Sequence, residues 1–142
     1  MATNQLVVFL IDGERYGVSI DQVQEIIRYT PPRSVSSDDS RVRGVINLRS
    51  RIIPVLDLAS HLGVSSSDGA GGNIVIVETN SATVGIVVDE VDEVLSVSPE
   101  QVEELPAASS SSGRIAKTDD ALIVILDPED LGISGSITEL AA

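Results

Sequence analysis

The chain has no cysteine and no tryptophan, and only one phenylalanine, one methionine, one histidine and two tyrosines among its 142 residues. Without cysteine there is no disulfide framework and no thiolate metal site, and a reducing compartment is permitted. Aromatics make up 2% of the chain against 42% for hydrophobic residues as a whole. The core must therefore be aliphatic, built from Val, Ile and Leu, whose branched side chains suit a pleated, half-buried strand. No apolar run approaches the roughly 20 residues needed to span a bilayer. The opening Met1-Ala2-Thr3-Asn4-Gln5 lacks the basic segment and cleavage site of a secretory signal. The expectation is a soluble, cytoplasmic protein with no direct membrane insertion. Positive charge is scarce too: nine Lys and Arg face 22 Asp and Glu, for a formal net charge of -13. Such acidity disfavours nucleic acid and anionic membranes as partners.

The few cations are not scattered. Arg41, Arg43, Arg49 and Arg51 fall within eleven residues, around the apolar stretch VRGVINLRSRIIPVLDL from Val42 to Leu58, whereas Lys117 is the sole lysine. Arginine presents a planar fork suited to bidentate contact with carboxylates. An acidic chain that gathers arginine on one hairpin is presenting a docking point. At 142 residues the chain is long enough for one ordinary domain, or two small lobes sharing a core, burying roughly 68% of its unfolded surface.

The chain repeats itself. YGVSIDQVQEI, Tyr16 to Ile26, overlies VGIVVDEVDEV, Val84 to Val94, matching Gly17 with Gly85, Asp21 with Asp89 and Glu25 with Glu93 at an offset of 68. SRIIPVLDL, Ser50 to Leu58, overlies DALIVILDP, Asp120 to Pro128, matching Asp57 with Asp127 at an offset of 70. Two collinear blocks at nearly one offset indicate internal duplication.

Local chemistry supports strands in each half. Leu6 to Ile11 is an apolar run, Asp12-Gly13 is a hairpin turn, and Tyr16 to Ile20 resumes alternation. Ile74 to Val77 and Val84 to Val88 flank Thr79-Asn80-Ser81 in the second half. Pro31-Pro32 forbids a helix after Tyr29. Gly44, inside the strand from Val42 to Leu48, suggests a bulge or a close backbone approach. Brief helical turns are expected at Asp57 to Leu62 and Pro128 to Leu131, and loops at Ser65 to Asn73 and Ala107 to Gly113. The architecture implied is two small antiparallel barrels packed side by side, an all-β domain over residues 1–142. Its lobes would run over about 15–72 and 78–127, with terminal strands open to exchange between them.

Catalytic chemistry is hard to find. His61 is the lone histidine, so every triad would depend on it, and it reads as structural. The glycines of Asp68-Gly69-Ala70-Gly71-Gly72 neither follow a strand nor open a helix, which argues against a phosphate loop. Asp89, Glu90, Asp92 and Glu93 lack the spacing of a calcium loop and read as a solvated acidic face. A duplicated β-domain can supply one aspartate per half, as aspartic proteases do, with Asp21 and Asp89 or Asp57 and Asp127 as candidates. The D-[TS]-G signature is missing at all four. No enzyme, metal or cofactor is expected.

The block VRGVINLRSRIIPVLDL resembles the signature of CheW-like domains, the coupling proteins of bacterial and archaeal chemotaxis, usually G-V-x-N-L-R-G-x-x-x-P-V-x-D-L. YGVSIDQVQEI resembles their opening block, VGIVVDEVDEVLSV their third and GRIAKTDDALIVILDPEDL their closing strands. The similarity runs from about Leu6 to Leu131. It implies a fold of two intertwined five-stranded SH3-like β-barrels. It also implies a non-catalytic adaptor that couples transmembrane chemoreceptors to the regulatory domain of a histidine kinase, within membrane-associated arrays. In such proteins the receptor's helical hairpin tip lies in a groove between the barrels. The matching receptor-contact positions are Val23, Glu25, Gly44, Arg49, Val91 and Val94. The alternative is a CheW-like scaffold module serving a non-chemotactic kinase or another signalling partner. One departure is visible: the family's glycine after N-L-R is Ser50 here, which costs roughly 1 kcal/mol if that turn needs positive φ.

The residues also argue for Arg49 directly. Arg49-Ser50-Arg51 reads as an exposed hairpin tip whose counterpart in the second half is Asp119-Asp120. Tips of opposite charge on a duplicated scaffold would orient partners. For Val23, Val91 and Val94 it is the resemblance that implies a place along the groove, which would accept the apolar face of a helix.

Overall fold

A computed structural model of the chain describes residues 4–37, 41–59, 71–79, 82–105, 113–119, 121–127 and 137–139. It is an all-β protein. The first half contributes β1 (Asn4–Ile11), β2 (Glu14–Ser19), β3 (Val23–Arg28), β4 (Val35–Ser37), β5 (Val42–Leu48) and β6 (Arg51–Leu56). The second contributes β7 (Asn73–Glu78), β8 (Thr83–Val88), β9 (Glu90–Val97), β10 (Val102–Leu105), β11 (Gly113–Lys117), β12 (Leu122–Ile125) and β13 (Ile137–Glu139). Short 3-10 turns at Ile20–Gln22 and Pro99–Gln101 precede β3 and β10. His61, the Asp68-Gly69 segment, Asp120 and the expected turn at Pro128 to Leu131 lie outside the described residues. Of the turn expected from Asp57, residues 57 and 58 are irregular and all beyond Ala59 lies outside as well.

The duplication governs the topology. One large sheet runs β10-β11-β12-β2-β1-β9 and the other β3-β7-β8-β6-β5, while β13 pairs with β4 in a small two-stranded sheet. Matched by the repeat, β11-β12-β2-β1-β9 is the counterpart, strand for strand, of β5-β6-β8-β7-β3. Each sheet thus takes strands from both halves of the sequence. The β1–β2 hairpin joins the sheet of β9 to β12, and β3, β5 and β6 join that of β7 and β8. The ranges 15–72 and 78–127 follow the halves of the sequence and not the sheets. β10 gives the first sheet a sixth strand.

Pairing is antiparallel except at two equivalent places, where β12 runs parallel to β2 and β6 parallel to β8. There Ile125 faces Gly17 and Val55 faces Gly85, residues that the repeat itself matches. A returning strand that must cross over before pairing adds in parallel, so the expectation of purely antiparallel barrels needs this correction.

Each sheet curls over an aliphatic core. Leu6, Val8, Val97, Ala116, Ile123 and Ile125 fill one, and Ile46, Ile53, Val55, Ile74, Ile76 and Val87 the other. A third cluster lies where the sheets meet and includes Phe9, Tyr16, Leu56, Val75, Val84 and Ile86. There the rings of Phe9 and Tyr16 stack with centroids 6.4 Å apart, and burial pushes the Tyr16 hydroxyl pKa up, with Glu14 and Asp12 adding to it. The two sheets exchange strands and share this central cluster.

Candidate functional site

The site begins at a two-residue hairpin. Leu48 pairs with Arg51, so the tip is Arg49-Ser50 and Arg51 is already the first residue of β6, one residue tighter than the sequence suggests. Both tip residues have positive φ, 51° at Arg49 and 68° at Ser50, the requirement of a type I′ turn. Ser50 therefore takes a left-handed backbone that glycine adopts without steric cost. Asn47 helps to hold it, its Oδ1 accepting the Ser50 N–H at 3.0 Å.

From this tip the Arg49 side chain, 73% exposed, reaches across to Glu25 on β3. The pair is bidentate: Nη1 donates to Oε1, and Nη2 donates to Oε2 at 2.7 Å. The hydrogen bond from Arg49 holds the Glu25 carboxyl below its usual range, and the same bond raises the Arg49 guanidinium pKa. β3 and β5 are the two edges of the five-stranded sheet, so the ion pair bridges edge to edge. Glu25 occupies two of the five N–H donors of the guanidinium, and three stay available to a partner.

Beneath the pair lies an open depression of about 440 Å³, lined by Gln24, Glu25, Leu48, Arg49, Arg51 and Ile53. Its rim is held by further bonds: Arg51 Nη2 donates to Thr83 Oγ1 at 2.9 Å, and Gln24 Nε2 to Glu78 Oε2 at 2.6 Å. Close by in sequence are two exposed aliphatics, Ile26 at 40% and Ile52 at 63%. Neither stands out in the sequence. A bulge at Gln24 shifts the phase of β3, and Ile52 is hidden in the run Ile52-Ile53-Pro54-Val55, where alternation cannot assign a face.

The other anticipated positions divide. Val23 and Val91 are half-buried, both packed against the central cluster where the sheets meet. Val94 is 52% exposed on β9, the edge of the six-stranded sheet. Gly44 is buried. A Cβ there would stand 2.3 Å from the Arg33 carbonyl oxygen, and the backbones of Arg33 and Val45 exchange hydrogen bonds of 2.8 and 2.9 Å. A bulge between Val42 and Gly44 accompanies this approach. Gly44 shapes the strand that carries the tip.

Several other charges serve the fold. Arg43 Nη2 meets Asp57 Oδ2 at 2.5 Å, while Asp57 Oδ1 accepts the Ala59 N–H at 3.0 Å. Asp89 Oδ2 accepts the Asp12 N–H at 2.7 Å at the tip of the β1–β2 turn. Arg15 lies 3.1 Å from Asp92 and 3.7 Å from Glu93. The aspartates considered as an acid–base pair include two, Asp57 and Asp89, committed to holding loops. Among the described residues no group of three His, Cys, Asp or Glu side chains is placed to hold a metal ion, and no helix is long and apolar enough to cross a membrane.

A twofold β scaffold with an exposed, ion-paired corner is the build of a protein-binding module. The CheW-like domain family matches residues 5–133, and the chain belongs to it. Among its relatives, the probable chemotaxis protein CheW of Rhizobium etli is 32% identical, covering 89% of this chain and 86% of that protein. The chemotaxis protein CheW of Thermotoga maritima is 34% identical, covering 87% and 83%. The crystal structure of scaffolding protein TtCheW from Thermoanaerobacter tengcongensis superposes with a TM-score of 0.81 at 31% identity, covering 98% of each chain. Membership makes the chain a chemotaxis scaffold and not an enzyme.

Proposed function

We propose that the chain is an adaptor that couples transmembrane chemoreceptors to a chemotaxis histidine kinase, recruited from the cytoplasm to receptor arrays. In this reading the receptor's helical hairpin tip seats at the corner of Arg49 and Glu25, along the groove edged by Val23, Val91 and Val94. The carrying observation is the bidentate Arg49–Glu25 pair: an exposed guanidinium fixed in place, with three donors to spare. Fixing a long side chain before association reduces the entropy lost on binding. Ile26 and Ile52 supply apolar surface for a helix face.

The kinase regulatory domain would engage elsewhere on the barrels, so the two partners bind together. A pull-down with a receptor tip fragment and the kinase regulatory domain tests this. The native chain is expected to retain both. Arg49→Glu is expected to lose the receptor by about 2 kcal/mol or more, as for an interface hot spot, while still capturing the kinase. Retention of the receptor at native affinity by Arg49→Glu would contradict the assignment of the corner.

A further inference from the structure

The repeat matches Gly44 with Arg114, and the two lobes use that position differently. In the five-stranded sheet the Arg33 backbone and the Pro32 side chain lie directly over Gly44, leaving no room for a side chain. In the six-stranded sheet the same place carries arginine, and a cavity of about 190 Å³ opens beside it, lined by Leu6, Ser19, Gln22, Val97, Arg114 and Ile125 among others. Leu6, Val97 and Ile125 are buried and form an aliphatic floor.

The polar groups around this floor are unengaged. Arg15, Arg43 and Arg49 each rest on a carboxylate. Arg114, half-buried in a chain with 22 acids, has no ion pair or hydrogen-bonded side-chain partner among the described residues. Ser19 makes no capping bond at the turn it precedes, and the amide of Gln22 is likewise without a bond among the described residues. Arg114, the Ser19 hydroxyl and the Gln22 amide thus line one small hollow over this aliphatic floor.

We infer that this cavity binds a carboxylate carried on a short aliphatic group. The guanidinium suits the two oxygens of a carboxylate, Ser19 and Gln22 can each donate one further hydrogen bond, and the floor takes the hydrocarbon. The volume equals that of roughly six water molecules, enough for a branched chain of a few carbons with its carboxylate. A free short-chain acid and the C-terminal residue of a protein share this chemistry. The site lies on the sheet opposite the Arg49 corner and does not depend on what that corner binds.

The ¹⁵N-labelled full chain would be titrated with isovalerate, with a short peptide ending in leucine, with the same peptide as its C-terminal amide, and with inorganic phosphate. Saturable amide shifts at Ser19, Gln22 and Arg114 are expected with a carboxylate probe and not with the amide or phosphate. Tighter binding of isovalerate identifies a free acid as the ligand, and tighter binding of the peptide identifies a protein terminus. Arg114→Leu, which keeps an aliphatic stem, should weaken binding at least about tenfold with the rest of the spectrum unchanged. The inference is overturned if neither carboxylate probe saturates by on the order of 10 mM, if amide or phosphate binds equally well, or if Arg114→Leu binds as the native chain does.

Discussion

Two hollows, one on each sheet, occupy equivalent places under the duplication. The first lies below the β5–β6 tip and the second below the β11–β12 tip, with volumes of about 440 and 310 Å³. Glu25, Arg49 and Ile53 in the first correspond to Glu93, Asp119 and Ile123 in the second. At the first corner the tip supplies a cation that clamps the carboxylate of the edge strand. At the second the tip is itself a carboxylate, and the edge strand's acids turn instead to Arg15 on β2. Duplication copied the cup, and the tip residue then set its sign. Opposite signs on equivalent cups make the two ends of the scaffold distinguishable to a charged partner, which governs orientation and on-rate more than affinity.

The sharpest break of this comparison is steric. Gly44→Ala should destabilise the fold by about 3 kcal/mol, the upper range for overpacking, because its Cβ meets backbone at 2.3 Å. Arg114→Gly, at the matched place, should cost about 1 kcal/mol or less, the ordinary penalty of glycine in a strand. Thermal melts of the two variants measure the difference, and equal melting temperatures would show that the lobes are not packed differently there.

A smaller effect is expected at the turns. Asp12-Gly13 and Arg49-Ser50 both have two positive φ values, yet only the former uses glycine at its second position. Ser50→Gly should stabilise the chain by about 1 kcal/mol, read as a rise in denaturant midpoint at unchanged slope. A fall in the midpoint would mean that the turn depends on the Ser50 side chain, since glycine keeps the backbone N–H that Asn47 accepts.

The least perturbing test is titration of Glu25. Its pKa is lowered in the folded state, so the clamp's contribution is fully present above the unfolded carboxylate pKa and is lost as pH falls through the lower folded value. By side-chain carbonyl NMR, Glu25 should titrate below the ordinary value of about 4.3, and Arg49→Gln should return it there. An ordinary midpoint in the native chain would mean that the clamp is not held in solution.

Much of this was legible in the residues. Asp12-Gly13 announced its hairpin, Gly44 its bulge and close approach, and the offsets of 68 and 70 announced the twofold plan. The sequence left terminal strands open to exchange, but which hairpin crosses was not readable, because β1 and β2 carry no local mark of whether they pair with β9 or β3. Glu25 was singled out through the family resemblance and Arg49 through both the resemblance and its hairpin tip, but their bond depends on the curl that brings one sheet's two edges together. Ile26 and Ile52 escaped because a bulge and a continuous apolar run erase the alternation that assigns faces.

Amide chemical-shift mapping of the full chain with a receptor hairpin-tip fragment tests the docking assignment most directly. Perturbations are expected along β3, at Arg49 and Ser50, and from Val91 to Val94, with the β11–β12 tip silent. Shifts gathered at Asp119 instead, with the Arg49 corner unmoved, would contradict it.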